Sequence, residues 1–172
     1  MKKIYLLSLA LIALLFSSSI NAQGMSEAGS LGAGLASSFP AYGLSAKYNF
    51  TETHTGQITV GGASYGFGTS SFALTGRYLY NFEENGSGFI YKPYAYGQLG
   101  YFSVESSFLG ANSNASTISF GIGGGIEFTF ENFVDGLAFS ADLGYVGGSF
   151  DNGFGSYAGF AWGGGIHYYF NL

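Results

Sequence analysis

Four stretches of the chain alternate strictly between large apolar residues and small or polar ones, and each closes on an aromatic-x-Phe pattern. In "YGLSAKYNF", Tyr42, Leu44, Ala46, Tyr48 and Phe50 oppose Gly43, Ser45, Lys47 and Asn49. In "FALTGRYLYNF", Phe72, Leu74, Gly76, Tyr78, Tyr80 and Phe82 oppose Ala73, Thr75, Arg77, Leu79 and Asn81. "ISFGIGGGIEFTF" sets Ile118, Phe120, Ile122, Ile126, Phe128 and Phe130 against Ser119, Gly121, Gly123, Glu127 and Thr129. "FAWGGGIHYYF" sets Phe160, Trp162, Ile166, Tyr168 and Phe170 against Ala161, Gly163, Gly165, His167 and Tyr169. A period of two over such lengths predicts strands, because successive side chains of a strand point to opposite faces.

Partner strands fall between these four. "LAFSADLGY" places Leu137, Phe139, Ala141, Leu143 and Tyr145 on one face and Asp142 on the other. "QITVGGA" at 57–63 and the weaker "LGAGLAS" at 31–37 alternate in the same way. "PYAYGQLGYF" at 93–102 changes parity, with Tyr94 and Tyr96 on one count and Leu99 and Tyr101 on the other. A bulge near Gly97 would reconcile the two counts. The sum is about eight strands joined by turn-rich segments such as "TETHT", "ENGSG", "FVDG" and "FDNG". Loops on the side away from the aromatic endings are expected at 38–41, 64–71, 103–117 and 148–157, of which "SVESSFLGANSNAST" is the longest.

Charge decides which face meets what. The small face carries Lys47, Arg77, Glu127, Asp142 and His167, while the other face is bulky and apolar. Small residues inside and large apolar ones outside describe a barrel set in lipid, where a Lys or Arg facing the bilayer midplane costs roughly 2–4 kcal/mol. Lys47, Arg77, Glu127, Asp142 and His167 are therefore expected in a polar lumen network, with the basic and acidic groups paired. The aromatic endings, Tyr48, Phe50, Tyr80, Phe82, Phe128, Phe130, Tyr168 and Phe170, close alternate strands. They are expected at one rim, as a periplasmic aromatic girdle. Tyr169 has the opposite parity, so its replacement by Ser is expected to be milder for assembly than loss of Tyr168 and Phe170.

The N-terminus adds a compartment. Lys2 and Lys3 precede an apolar run from Ile4 to Phe16 and then "SSSINAQG". This is the layout of a signal peptide over residues 1–22, with cleavage between Ala22 and Gln23. The run is short of the roughly 20 residues of a membrane-spanning helix. Residues 23–172 then form a single domain, with Lys47, Arg77 and Lys92 against ten acidic residues, a net charge of −7. That balance excludes a basic nucleic-acid surface. Charged residues make up only 9% of the chain, too few to coat a water-facing domain, for which roughly 25% is typical.

On these residues the chain resembles the small eight-stranded outer-membrane barrels of Gram-negative bacteria, the OmpA transmembrane domain and OmpX group. The resemblance covers residues from about 28 to 172. It implies an all-β fold, an eight-stranded antiparallel up-and-down transmembrane β-barrel in the outer membrane and surrounded by its lipid. It also implies that Ile166, Tyr168, Phe170 and Leu172 of the last strand are read by the barrel-assembly machinery, although the family ends on an aromatic and this chain on Leu172.

Little in the sequence asks for catalysis. His54 and His167 match no metal or hydrolase spacing, and no cofactor, metal site or catalytic residue is expected. "FGIGGGIEF" has the glycines of a phosphate loop, but a strand follows where that motif needs a helix. The expected role is structural or interactive at the cell surface, with 103–117 as the candidate contact for an outside partner. The alternative is a narrow passive channel, since glycines on the lumen face leave room for a water-filled path. An outer-membrane lipid-modifying enzyme is a distant third.

Overall fold

The computed structural model describes Met25 and residues 27–64, 69–108, 111–130, 134–151 and 155–171. The proposed signal segment, its Ala22–Gln23 junction and Leu172 lie outside these residues. The described chain forms eight strands: β1 (Ser30–Ser38), β2 (Ala41–Asn49), β3 (His54–Ser64), β4 (Thr69–Asn81), β5 (Phe89–Phe108), β6 (Ala111–Phe130), β7 (Leu137–Phe150) and β8 (Ser156–Asn171). Each pairs antiparallel with the next, and β8 returns to β1, closing an up-and-down barrel. The ends of β2, β4, β6 and β8 share one rim with the start of β1, since Ser30 lies opposite Asn171.

The alternation sets the facing. Leu35, Leu44, Ile58, Phe72, Leu99, Phe120, Ile122, Leu143, Phe160 and Trp162 are exposed on the outside, while Ser45, Lys47, Gln57, Thr59, Thr75, Arg77, Ser119, Glu127 and His167 are buried inside. The molecule thus has the reverse polarity of a water-soluble barrel. Closure also leaves no free sheet edge where every strand is paired.

β5 departs from expectation. Its register against β4 and β6 runs unbroken through Gly97, which lies opposite Tyr78 on one side and Ile122 on the other. No bulge is present, and the change of parity is real. Tyr94 and Tyr96 are buried in the lumen, and Leu99 and Tyr101 are exposed outside. Glycines on the facing strands make the space. A Cβ on Gly123 would stand 2.6 Å from the Tyr96 ring and hydroxyl, and one on Gly125 would stand 2.6 Å from Tyr94 Cζ. Glycine in a strand interior commonly marks such a close approach. The lumen room that the glycines suggest is therefore occupied by tyrosine rings.

The expected loop at 103–117 is instead mostly strand. β5 and β6 are each 20 residues long and pair as far as Phe108 opposite Ala111. Its Ser- and Asn-rich composition reads as a loop, yet the polar residues face each other in register, Ser103 with Ser116 and Glu105 with Asn114. Cross-strand pairing of small polar residues stabilises a ribbon without an apolar face. Ser116 Oγ also donates to Asp151 Oδ2 of the neighbouring turn.

At the other extreme β1 and β2 have nine residues each. At roughly 3.3 Å per residue the two hairpins differ greatly in reach, so the rim opposite the aromatic endings is oblique.

Candidate functional site

The lumen gathers every basic residue that follows Lys3. Lys47, Arg77 and Lys92 are all buried. Two ionic layers result. In the layer nearer the aromatic rim, Lys47 Nζ on β2 donates to Glu127 Oε1 on β6 at 2.7 Å. Tyr169 Oη on β8 donates to the same carboxylate, 3.0 and 3.1 Å from its two oxygens. Lys92 on β5 stands directly opposite Glu127 in the register, and its Nζ donates at 2.6 Å to the Met25 carbonyl. Asn49 Nδ2 donates to that carbonyl as well, at 2.9 Å, so Met25 closes this end of the lumen over Ala138 and Tyr169.

The second layer is built round Arg77 on β4. Its Nη1 donates to Asp142 Oδ2 on β7 at 2.9 Å, and its Nε donates to Gln98 Oε1 at 2.9 Å. Tyr94 Oη donates to Asp142 Oδ2 at 3.1 Å, and the guanidinium lies 4.3 Å from the centre of the Tyr96 ring. The planar fork of Arg suits such divided bonding with a stacked ring. Above this layer the β1–β2 turn folds inward. Gln98 Nε2 donates to the Phe39 carbonyl at 2.7 Å, the Ala41 amide to Thr75 Oγ1 at 3.3 Å, and Thr75 Oγ1 to the Ser38 carbonyl at 2.8 Å.

Of the residues read from the sequence as a lumen network, the structure brings Lys47 to Glu127 and Arg77 to Asp142, and sets His167 against Ser45 Oγ at 3.0 Å. His167 Nδ1 has no partner among the described residues, so no carboxylate orients this ring as a hydrolase triad requires. Sequence reading missed Lys92, Gln98, Tyr94 and Tyr96. Their signal was their shared even parity in β5, which the supposed bulge concealed.

The aromatic endings form a ladder around one rim. Ring centroids of Tyr48 and Phe50 lie 5.3 Å apart, those of Tyr80 and Phe82 5.4 Å, and those of Phe128 and Phe130 6.0 Å. Phe89 fills the β5 position, 5.5 Å from Phe128, and Phe139 of β7 stacks on Phe128 at 5.8 Å. His54 is not a loop residue but opens β3, where Nδ1 meets Tyr78 Oη at 2.7 Å. At the β8 end of the ladder Tyr168 is half-buried, and Phe170 keeps the outward parity with only 9% of its surface exposed.

The described residues define a closed up-and-down barrel of eight antiparallel strands, apolar outside and ionic inside. Its fold is shared with the crystal structure of the N-terminal β-barrel domain of Pseudomonas aeruginosa OprF. That match has a TM-score of 0.54 at 18% identity and covers 83% of this chain and 98% of that one. The crystal structure of Neisserial surface protein A (NspA) is also similar, with a TM-score of 0.43 at 15% identity over 82% of this chain and 91% of that one. No family model and no curated protein matches the chain.

Proposed function

We propose that the chain is exported and set in the outer membrane as a barrel whose role is structural or interactive at the cell surface, without catalysis and without open conduction. Residues 1–22 are its signal peptide, and the aromatic ladder is its periplasmic girdle. Ile166, Tyr168, Phe170 and Leu172 engage the assembly machinery. The observation that carries the reading is the lumen. Lys47–Glu127 and Arg77–Asp142 are buried ion pairs between strands that are not neighbours, and they bridge the bore between Met25 below and the Phe39 turn above. An eight-stranded barrel has an interior that its side chains can just fill. The surroundings fit as well, because every acidic residue with a described surface, apart from Glu127 and Asp142, lies in a turn or near a strand end beyond the apolar band.

Planar-bilayer recording on refolded protein tests this reading. Wild type is expected to show no discrete conductance, and Arg77→Ala with Lys47→Ala is expected to raise it. Steady ohmic steps from wild type would replace this reading by the narrow-channel one.

A further inference from the structure

The wall of the barrel is incomplete on one side. β1 pairs with β8 only as far as Ser37 opposite Gly164. β8 continues upward from there through Gly163 to Ser156, paired with β7 but with no β1 residue on its other flank. β3 likewise runs on to Ser64, beyond the β2 partners that end with Leu44 opposite Val60. Above the short β1–β2 hairpin a gap therefore separates β8 from β3 among the described residues.

A cavity of about 690 Å³ opens at this gap. Its lining is informative in two ways. Residues of both parities of β8 contribute, Tyr157, Gly159 and Ala161 from the lumen face and Ala158, Phe160 and Trp162 from the outer face. One cavity can touch both faces of a strand only by wrapping round its free edge. The rest of the lining is mostly apolar, with Phe39 and Pro40 as the floor and Phe102, Val146 and Phe150 as the far wall, beside the hydroxyl side chains of Ser37 and Thr117. The volume lies within the roughly 300–1,000 Å³ of small-ligand cavities.

The gap stands at the height of the apolar band. Phe160 and Trp162, 82% and 81% exposed, flank it, and Phe160 lies opposite Tyr145 of β7. Backbone amides and carbonyls on a free edge at that depth have no water to satisfy them. Tyr157 contributes its ring to the wall, while its Oη is buried away from the cavity, 2.7 Å from where a Cβ on Gly148 would stand.

We propose that this vestibule is a binding site for a single alkyl chain of an amphiphile, entered sideways from the bilayer between β8 and β3. The chain lies against Phe102, Val146 and Phe150, and the polar head is taken by the backbone groups of the free β8 edge. A ligand that arrives through a lateral gap is one that the bilayer carries, and a linear chain fits a cavity that bends round a strand edge. The proposal rests on the membrane reading above, which flotation and heat-modifiable migration test separately.

Trp162 is the single tryptophan of the chain and serves as the reporter. Full-length mature protein is refolded into dioleoylphosphatidylcholine vesicles and titrated with cis-parinaric acid, reading energy transfer from Trp162. Saturable transfer, displaced by oleic acid, is expected. Gly159→Leu is the main variant, because a Cβ at Gly159 meets nothing within 4 Å and the new side chain enters the cavity. It should weaken apparent binding by about tenfold, and Ala161→Leu should do the same where Gly159→Leu fails to fold. Native mass spectrometry of the protein released from the vesicles separates the two sources, a retained phospholipid or a retained free fatty acid, either of which supports an alkyl-chain site. Folded protein that gives only non-saturable transfer, equal in wild type and both filled variants, and that retains neither molecule, overturns it.

Discussion

Lys47 Nζ and Glu127 Oε1 meet at 2.7 Å although their strands, β2 and β6, are separated by three others on either side of the barrel. The bond therefore crosses the bore. Both side chains are almost fully buried, so neither charge can be left alone cheaply. Lys47→Met should cost about 3–5 kcal/mol, the usual penalty for stranding the partner of a buried pair. Lys47→Met combined with Glu127→Gln should recover only part of it, because Lys92, buried opposite Glu127, then loses its own counter-charge. Guanidinium unfolding in micelles measures both. A small loss for Lys47→Met and a larger one for the double variant would show that Glu127 is balanced chiefly by Lys92 instead.

Arg77 is a harder residue to replace conservatively. Its guanidinium holds Asp142 and Gln98 with separate nitrogens and lies on the Tyr96 ring. Arg77→Lys keeps the charge but can supply only one of the two hydrogen bonds in the same geometry. We expect a loss of about 1.5–3 kcal/mol, the range for a hydrogen bond involving a charged group. Arg77→Ala should cost about 3–5 kcal/mol by leaving Asp142 with Tyr94 alone. A change below about 1 kcal/mol for Arg77→Ala, typical of a solvated pair, would mean a wet lumen.

These residues show how far the sequence could be read. Lys47, Arg77, Glu127 and Asp142 each stand in a strand of unbroken alternation, so one count of parity places them inside. Which pairs with which depends on the shear of the closed barrel, and no local pattern carries that. β5 was obscure for a different reason. Lumen and lipid faces differ by size and polarity, and tyrosine satisfies both descriptions. The facing of Tyr94 and Tyr96 stays open in the sequence until Gly123, Gly125 and Gly144, on the two strands beyond, are seen to be cut away for their rings. The tall β5–β6 ribbon was hidden because serine and asparagine are turn residues by propensity, while here they pair across strands.

The glycines give a paired test. A Cβ at Gly125 would fall 2.6 Å from Tyr94 Cζ and also 2.6 Å from the Ala141 carbonyl oxygen, which is backbone and cannot swing aside. At Gly76, on the outer face of β4, a Cβ would meet nothing within 4 Å. Gly125→Ala should therefore destabilise by about 1–3 kcal/mol, as overpacking does. Gly76→Ala should be neutral or slightly stabilising, since alanine lowers the entropy of the unfolded chain. Unfolding midpoints of the two variants in the same micelle decide the matter. A neutral Gly125→Ala would place the Tyr94 ring elsewhere.

Tyr169 and Tyr168 are adjacent in β8 but stand on opposite faces. From parity alone, loss of Tyr169 was expected to be the milder change. Its contacts reverse that ranking. Tyr169 is fully buried, packs with Met25 and Ala138, and donates to both oxygens of Glu127. Tyr169→Ser would remove the ring from the centre of the first ionic layer and take from Glu127 Oε2 its hydrogen-bond donor. The expected cost is about 3–5 kcal/mol, as for truncation of a large buried aromatic. Tyr169→Phe keeps the ring and should cost about 1.5–3 kcal/mol for the lost bond to a charged group. Tyr168→Ser removes only a half-buried ring from the outer ladder and should cost less than either of the two larger losses. Heat-modifiable migration in cells and unfolding in micelles report the order. If Tyr168→Ser proves the most damaging, the rim contact of β8 outweighs the lumen layer in assembly, and the closing strand is recognised chiefly through its outer face.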